Sequence, residues 1–468
     1  MDYLPLTSLL YNDGMKQSLR LIPLALWAAA LLCAPAALAQ NQAVLQQYTE
    51  TAQTAFHFVD AIGIGSLPFD NIKGQPQNDP KFCTNIFAPA MRDLNITHFR
   101  TNMPWYLTKN PETTPTYIAF RCALANGLRP LLTMTLQHTN MRDPVNGGNH
   151  TEDPQDAVNV IKYLGPQNID GVEGVNEYYN TNSDPNWQQV LLDYSRKVHD
   201  ALKADPATRD VKIAGPSLNG GVPTDAYNDI VDIGTMHFYD MPYVSVYNKY
   251  FAEHAAMQAQ EYPGKPHIIT ETGFSNCTFN PADAASHGGN CVTEAVAAKN
   301  IGRQLLHYFA QGYQRIYIYQ LVDSHDNITD RDSNYGLLRI TTDNVHAAPK
   351  PVYFALRNLT SILKDMPQTF APSQLSFSLA GDLTNIQHVL LQKANGDFYL
   401  AIWQSANSMN NPPPIAVPVE LKLNNVKGSM AIYDTVASDQ PAISVPAADH
   451  ITLSVLDSVL LVRITPGK

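Results

Sequence analysis

Gly171-Val172-Glu173-Gly174-Val175-Asn176-Glu177 and His267-Ile268-Ile269-Thr270-Glu271-Thr272-Gly273 decide the fold. Each is a short apolar run ending on a glutamate, the pattern of a buried strand that delivers a carboxylate at its C-terminal tip. Glu177 and Glu271 lie 94 residues apart, room for about three βα units at roughly 30 residues each. In a closed parallel barrel every C-terminal tip opens on the same face, so distant residues can meet across one pocket.

The flanking sequence repeats the unit. Short apolar runs at Phe58–Ile62, Thr97–Arg100, Pro130–Thr135, Gly171–Asn176, Val211–Ala214, Ile233–His237, His267–Thr270 and Arg315–Tyr319 predict eight strands. Helical patterns at Pro154–Leu164, Trp187–Ala204, Thr293–Gln311 and Val352–Lys364 fall between or after them, some opened by Asp-Pro. This predicts an α/β fold, a (β/α)8 TIM barrel within residues 40–365. Beyond residue 366 short strands separated by Pro, Gly and Asn take over. Val389–Leu391 and Phe398–Trp403 flank an Asn395-Gly396 turn, so 366–468 reads as a small antiparallel β-sandwich.

Residues 1–39 read as a signal peptide. Lys16 and Arg20 precede the apolar stretch Leu21–Leu32, and Ala37-Leu38-Ala39 fits a cleavage site, with Met15 a candidate translation start. The expected location is secreted or periplasmic, with no stable membrane anchor, because the apolar run is short for a span. Cleavage leaves Cys83, Cys122, Cys277 and Cys291, an even number with three possible pairings. The local pairs Cys83–Cys122 and Cys277–Cys291 are favoured, with four reduced cysteines as the competing state. A thiolate zinc site is disfavoured by the absence of any CxxC.

The formal net charge is −11 and there is no basic run, which argues against nucleic acid and against an anionic membrane surface as partners. Gly63-Ile64-Gly65 lacks the third glycine of a dinucleotide fingerprint, and no cofactor is implied. The acidic run Asp323–Asp332 lacks the glycine and the twelfth-position glutamate of an EF-hand, so a solvated loop is expected there rather than a calcium site.

Two carboxylates brought face to face are the apparatus of glycosidic bond cleavage: one protonates the leaving oxygen, the other attacks the anomeric carbon. Glu173, on the same strand face as Glu177 but deeper, is the alternative acid, and a paired structural role is expected for it. His138, beyond the third strand, and Trp105, beyond the second, are candidates to touch a substrate, Trp105 by stacking.

Together, Val172-Glu173-Gly174-Val175-Asn176-Glu177, His237-Phe238-Tyr239, Ile269-Thr270-Glu271-Thr272-Gly273 and Asn334-Tyr335-Gly336-Leu337-Leu338, followed by Pro349-Lys350-Pro351-Val352-Tyr353, resemble glycoside hydrolase clan A, most nearly the family 39 group. The resemblance spans about residues 56–365, and the sandwich resembles the β-domain often carried by such barrels. It implies Glu177 as acid/base, Glu271 as nucleophile, and Asn176 as the residue bonding the sugar 2-hydroxyl. Tyr239 and Arg100 are implied as partners of the nucleophile, with His237 on the same strand face as Tyr239. One departure stands out: where many clan members carry a tryptophan near the end of the eighth strand, this chain has Tyr319 and Gln320 as the candidates to replace it. The resemblance implies a retaining hydrolase acting on an oligo- or polysaccharide. A non-catalytic glycan-binding or matrix protein, and a transglycosidase, are the alternatives.

Overall fold

The computed structural model describes residues 44–66, 81–104, 107–136, 153–181, 185–218, 225–239, 247–278, 291–339, 346, 348–367, 369–409, 413–424 and 427–467. The signal peptide expected at 1–39 lies outside the described residues, as do Trp105 and His138.

Eight parallel strands form one sheet: Ile62–Gly65, His98–Asn102, Arg129–Thr133, Gly171–Glu173, Ile213–Ala214, Gly234–His237, His267–Thr272 and Ile316–Tyr319. The eighth pairs with the first through Ile316 and Ile62, and the fifth joins the sixth through a bridge from Ala214 to Ile233, so the ring closes. This is the expected (β/α)8 barrel. Leu131, Ala214, Ile268 and Tyr317 pack together inside it, with Ile233 against them, so the barrel has a filled core rather than a channel. Gly63 makes room for this packing: a Cβ there would sit 2.4 Å from the Tyr317 ring.

Local signals explain the helices outside. Asp153 caps Pro154–Leu164 by accepting from the backbone N–H of Gln155, and Thr293 caps Glu294–Ala310 by accepting from Val296.

The first strand differs from the sequence expectation. Phe58–Asp60 belongs to a helix, Ala55–Asp60, capped by Thr54, and the strand follows at Ile62–Gly65. A short apolar run cannot be told from a buried helix turn by periodicity alone, and here Phe58 and Val59 are buried on the helix. The fourth strand ends at Glu173, so Asn176 and Glu177 sit in a turn beyond its tip.

The C-terminal strands form two sheets. One holds Val44–Thr51, Gln374–Gly381, Val417–Leu423 and His450–Val455; the other holds Ile443–Ala448, Gly428–Asp434, Leu460–Pro466, Phe398–Gln404, Ile386–Gln392 and Gln53–Thr54. Residues 44–54, allotted to the barrel segment by the sequence reading, thus pair with the sandwich strands instead. The largely exposed pattern of Val44–Thr51 suits an edge strand. The inner faces pack around Phe377, Leu400, Leu421 and Val462. The six-stranded sheet turns its other face to the barrel helices, where Leu391, Tyr399, Trp403 and Val459 join the barrel core. Arg303 of helix Glu294–Ala310 is fully buried at this junction, donating to Ala406 O, Asp457 O and Ser408 Oγ.

Candidate active site

The C-terminal tips of the strands surround a cavity of about 610 Å³. Arg100, Asn176, Glu177, Tyr239, Glu271, Tyr319 and Gln320 all line it. Five of the eight barrel strands, the second, fourth, sixth, seventh and eighth, therefore send a sequence-predicted residue to one hollow.

Arg100 organises its floor. The side chain is 8 % exposed and its guanidinium serves three partners: Nη1 donates to Glu271 Oε1 at 2.7 Å, Nη2 to Asn176 Oδ1 at 2.7 Å, and Nε to Glu173 Oε2. Burial disfavours its charge, but the carboxylates of Glu173 and Glu271 outweigh this and hold its pKa above the usual arginine range. Glu173 is completely buried and also accepts from Thr133 Oγ1 at 2.8 Å. It is sealed beneath Arg100 rather than presented to the cavity.

Glu271 is held on both oxygens, with Tyr239 OH donating to Oε2 at 2.7 Å. Burial first, and then the Glu271 charge, push the Tyr239 phenol well above its ordinary pKa, so it stays a donor. Gly273, two residues on, has φ +157°, and a Cβ there would sit 2.3 Å from Tyr319 O; this close approach brings the seventh strand tip against the eighth.

Glu177 takes a left-handed backbone conformation, φ 41°, uncommon for a residue with a Cβ, and its N–H donates to Ser217 Oγ at 3.3 Å. The resulting turn aims its carboxylate back across the cavity. His237 Nδ1 lies 2.6 Å from Glu177 Oε1 and 3.5 Å from Glu271 Oε2. Oxygens of the two glutamates and a nitrogen of His237 all fall within 4.8 Å of one another. A metal could be ligated by that trio on distance alone, but each atom is already engaged by protein: Glu271 by Arg100 and Tyr239, Glu177 by His237.

Sequence reading missed one part of the wall. The loop after the eighth strand contributes Ser324, His325, Arg331, Asp332 and Tyr335, so it is not merely the solvated loop expected there. Tyr335 sits between Tyr239 and Tyr319, with ring centroids 5.3 and 5.5 Å away. Burial pushes Tyr319 up to about 12, with the Glu271 charge adding to it. Asp323, the first acid of that run, is paired with Lys350 Nζ at 2.8 Å. Only the resemblance of the Asn334-Tyr335-Gly336 segment could have pointed to this wall. The two disulfides are Cys83–Cys122 and Cys277–Cys291. Among the described residues no helix is long and apolar enough to cross a membrane.

No family model matches the chain, and no curated protein matches it by sequence. Solved structures do. An endo-β-1,6-glucanase is 13 % identical, with 89 % of this chain and 92 % of that one covered at a TM-score of 0.50. SrfJ from Salmonella typhimurium is 10 % identical, with 89 % and 91 % covered, also at 0.50. A family 39 glycoside hydrolase from Bacteroides cellulosilyticus is 15 % identical, with 88 % and 82 % covered at 0.48. The closed barrel and its sandwich, with the likenesses to the endo-β-1,6-glucanase and to SrfJ, give the chain the same fold as those two structures, a (β/α)8 barrel carrying a β-sandwich.

Proposed function

We propose that the protein is an exported retaining glycosidase that cleaves O-glycosidic bonds of an oligo- or polysaccharide by double displacement. The observation that carries this reading is the pair Glu177 and Glu271, their oxygens within 4.8 Å across one open cavity. Retaining enzymes hold their carboxyls about 5–5.5 Å apart, whereas inverting enzymes need about 6.5–9.5 Å to admit a water between them.

Glu271 is the nucleophile. Arg100 and Tyr239 donate to its two oxygens, charge-assisted hydrogen bonds that fix the orientation of the carboxylate. Glu177 is the acid/base. His237 Nδ1 faces Glu177 Oε1 at 2.6 Å and fixes the orientation of that carboxyl. The catalytic proton is assigned to Oε2 of Glu177. In the first step Oε2–H protonates the glycosidic oxygen as a Glu271 oxygen bonds the anomeric carbon, and the leaving alcohol departs. In the second, ionised Glu177 takes a proton from water, whose oxygen displaces Glu271 and restores the original anomeric configuration. Asn176 is assigned the sugar 2-hydroxyl, a role supported by the Arg100 bond that anchors its side chain at the cavity. The two disulfides accord with an oxidising destination.

Azide rescue tests the assignment. Glu271→Ala with azide and an activated aryl glycoside should yield a glycosyl azide of inverted configuration, and Glu177→Ala one of retained configuration. The reading fails if neither variant is rescued on a glycoside that the parent cleaves, or if the two products are interchanged.

A further inference from the structure

Resting on the reading above, we infer that the loop Ser324–Tyr335 selects the retained sugar, with Arg331 and Asp332 as its specificity pair, and that the sugar it takes is uncharged.

Its place in the ring gives the first argument. The loop follows the eighth strand, which borders the seventh strand carrying Glu271 and stands four strands from the fourth, whose tip leads to Glu177. Four strands is the greatest separation in a ring of eight. The leaving group must lie where Glu177 can protonate it, so the sugar that stays bonded to Glu271 extends away from Glu177, toward this loop.

The loop is also held in shape before any ligand arrives. Asn334, 5 % exposed, donates through Nδ2 to Asn327 O at 2.7 Å and Asp330 O at 2.6 Å. Ser275 Oγ donates to Arg331 O at 2.7 Å, and the Asn276 N–H to Asn334 O at 2.9 Å. These bonds clamp the Arg331 backbone to the segment just after the nucleophile strand. A wall fixed in this way discriminates between ligands because little order has to be created on binding.

Charge gives the third argument. Arg331 Nε lies 2.9 Å from Asp332 Oδ1, and Arg100 is committed to Glu173 and Glu271. With Glu177 protonated, Glu271 and Asp332 at the cavity wall and Glu173 directly beneath Arg100 still set three formal negative charges against the two positive ones of Arg100 and Arg331. A sugar carboxylate or sulfate would enter a field already negative. A guanidinium beside a carboxylate offers adjacent donors and acceptors, the complement of vicinal hydroxyls.

Two series of aryl glycosides test this, one varying the sugar with a fixed leaving group, the other varying the leaving-group acidity with a fixed sugar. Arg331→Gln and Asp332→Asn should each change the kcat/KM ratio between neutral glycosides by tenfold or more, with the dependence on leaving-group acidity unmoved. Asp332→Asn should also raise activity on a uronide relative to the neutral parent sugar. Thermal melts of both variants, together with Arg331→Lys, keep misfolding separate from selection. Equal loss on every sugar, a changed leaving-group dependence, or a parent chain that prefers uronides overturns this inference alone. A parent that cleaves no glycoside overturns the underlying reading with it.

Discussion

Replacing Lys350 by Met should destabilise the protein by about 3–5 kcal/mol, the usual consequence of stranding one charge of a buried pair. Lys350 is 2 % exposed, and its Nζ bonds Asp323 Oδ1 at 2.8 Å, Asn276 Oδ1 at 3.2 Å and Asn334 O at 3.3 Å. Burial pulls the lysine pKa down and pushes that of Asp323 up, each partly countered by the other's charge. Methionine fills similar space, so the loss arises mainly from the orphaned Asp323 carboxylate, left with the Gly336 N–H at 2.8 Å. For a chain of this size about 0.9 kcal/mol corresponds to one degree, so Tm should fall by about 3–6 °C in scanning calorimetry.

The pH dependence separates charge from packing. A carboxyl whose folded pKa is raised contributes stability at low pH and loses it as pH rises through the folded value. In Lys350→Met the counter-charge is gone, so its Tm deficit should be larger at pH 8 than at pH 5. Asp323→Asn combined with Lys350→Met should recover about 2 kcal/mol of the single-variant loss, because no charge is then left buried alone. A deficit that is independent of pH and not relieved by Asp323→Asn would refute the reasoning and assign the effect to the lysine stem.

Three further outcomes are expected. Burial lowers His307 from 6.5 to about 4, so between those values the unfolded chain binds a proton that the folded chain refuses, and stability falls as pH drops. The penalty is about 2 kcal/mol at pH 5, so urea melts of His307→Phe at pH 7.5 and pH 5 should differ less than those of the parent by that amount. Arg100→Lys puts one ammonium where three partners need a fork, and losing even one charged hydrogen bond, about 1.5–3 kcal/mol, should lower kcat/KM by about 10–150-fold. Opening Cys83–Cys122, with a sequence separation of 39, should cost about 4 kcal/mol on loop entropy, and opening Cys277–Cys291, with a separation of 14, about 3, both read by chemical denaturation of double Ser variants.

Seven of the eight barrel strands were legible in the sequence because strands buried on both faces concentrate apolar residues into short runs. The first was displaced because Phe58-Val59 and Ile62-Gly63-Ile64 are adjacent apolar runs, and only the Thr54 cap assigns the earlier one to a helix. Glu177 and Glu271 were legible as strand-end carboxylates, a local property. What joins them was not: His237 reaches both through tertiary placement alone. Strands Val44–Thr51 and Gln53–Thr54 escaped for a related reason, since an edge strand paired across more than 300 residues carries no local mark of its partner.

The loop after the eighth strand shows why a polar run can carry structure. Asp323, Asp330 and Asp332 read as solvated because acidic residues cluster there, yet each has an intramolecular partner: Lys350, Ser333 and Arg331 in turn. Lys350 lies 27 residues beyond Asp323, at the entry to the last helix, Pro351–Leu363. The same cation that pairs with Asp323 also donates to Asn334 O, in the backbone on which Tyr335 stands. Stability and cavity shape are thus coupled through one ammonium group. A Lys350→Met variant whose thermal stability falls should therefore also show altered kcat/KM ratios among neutral glycosides, even though Lys350 does not itself line the cavity. Unchanged ratios alongside a lowered Tm would show that the loop keeps its shape without the lysine, held by Asn334 and Ser275 alone.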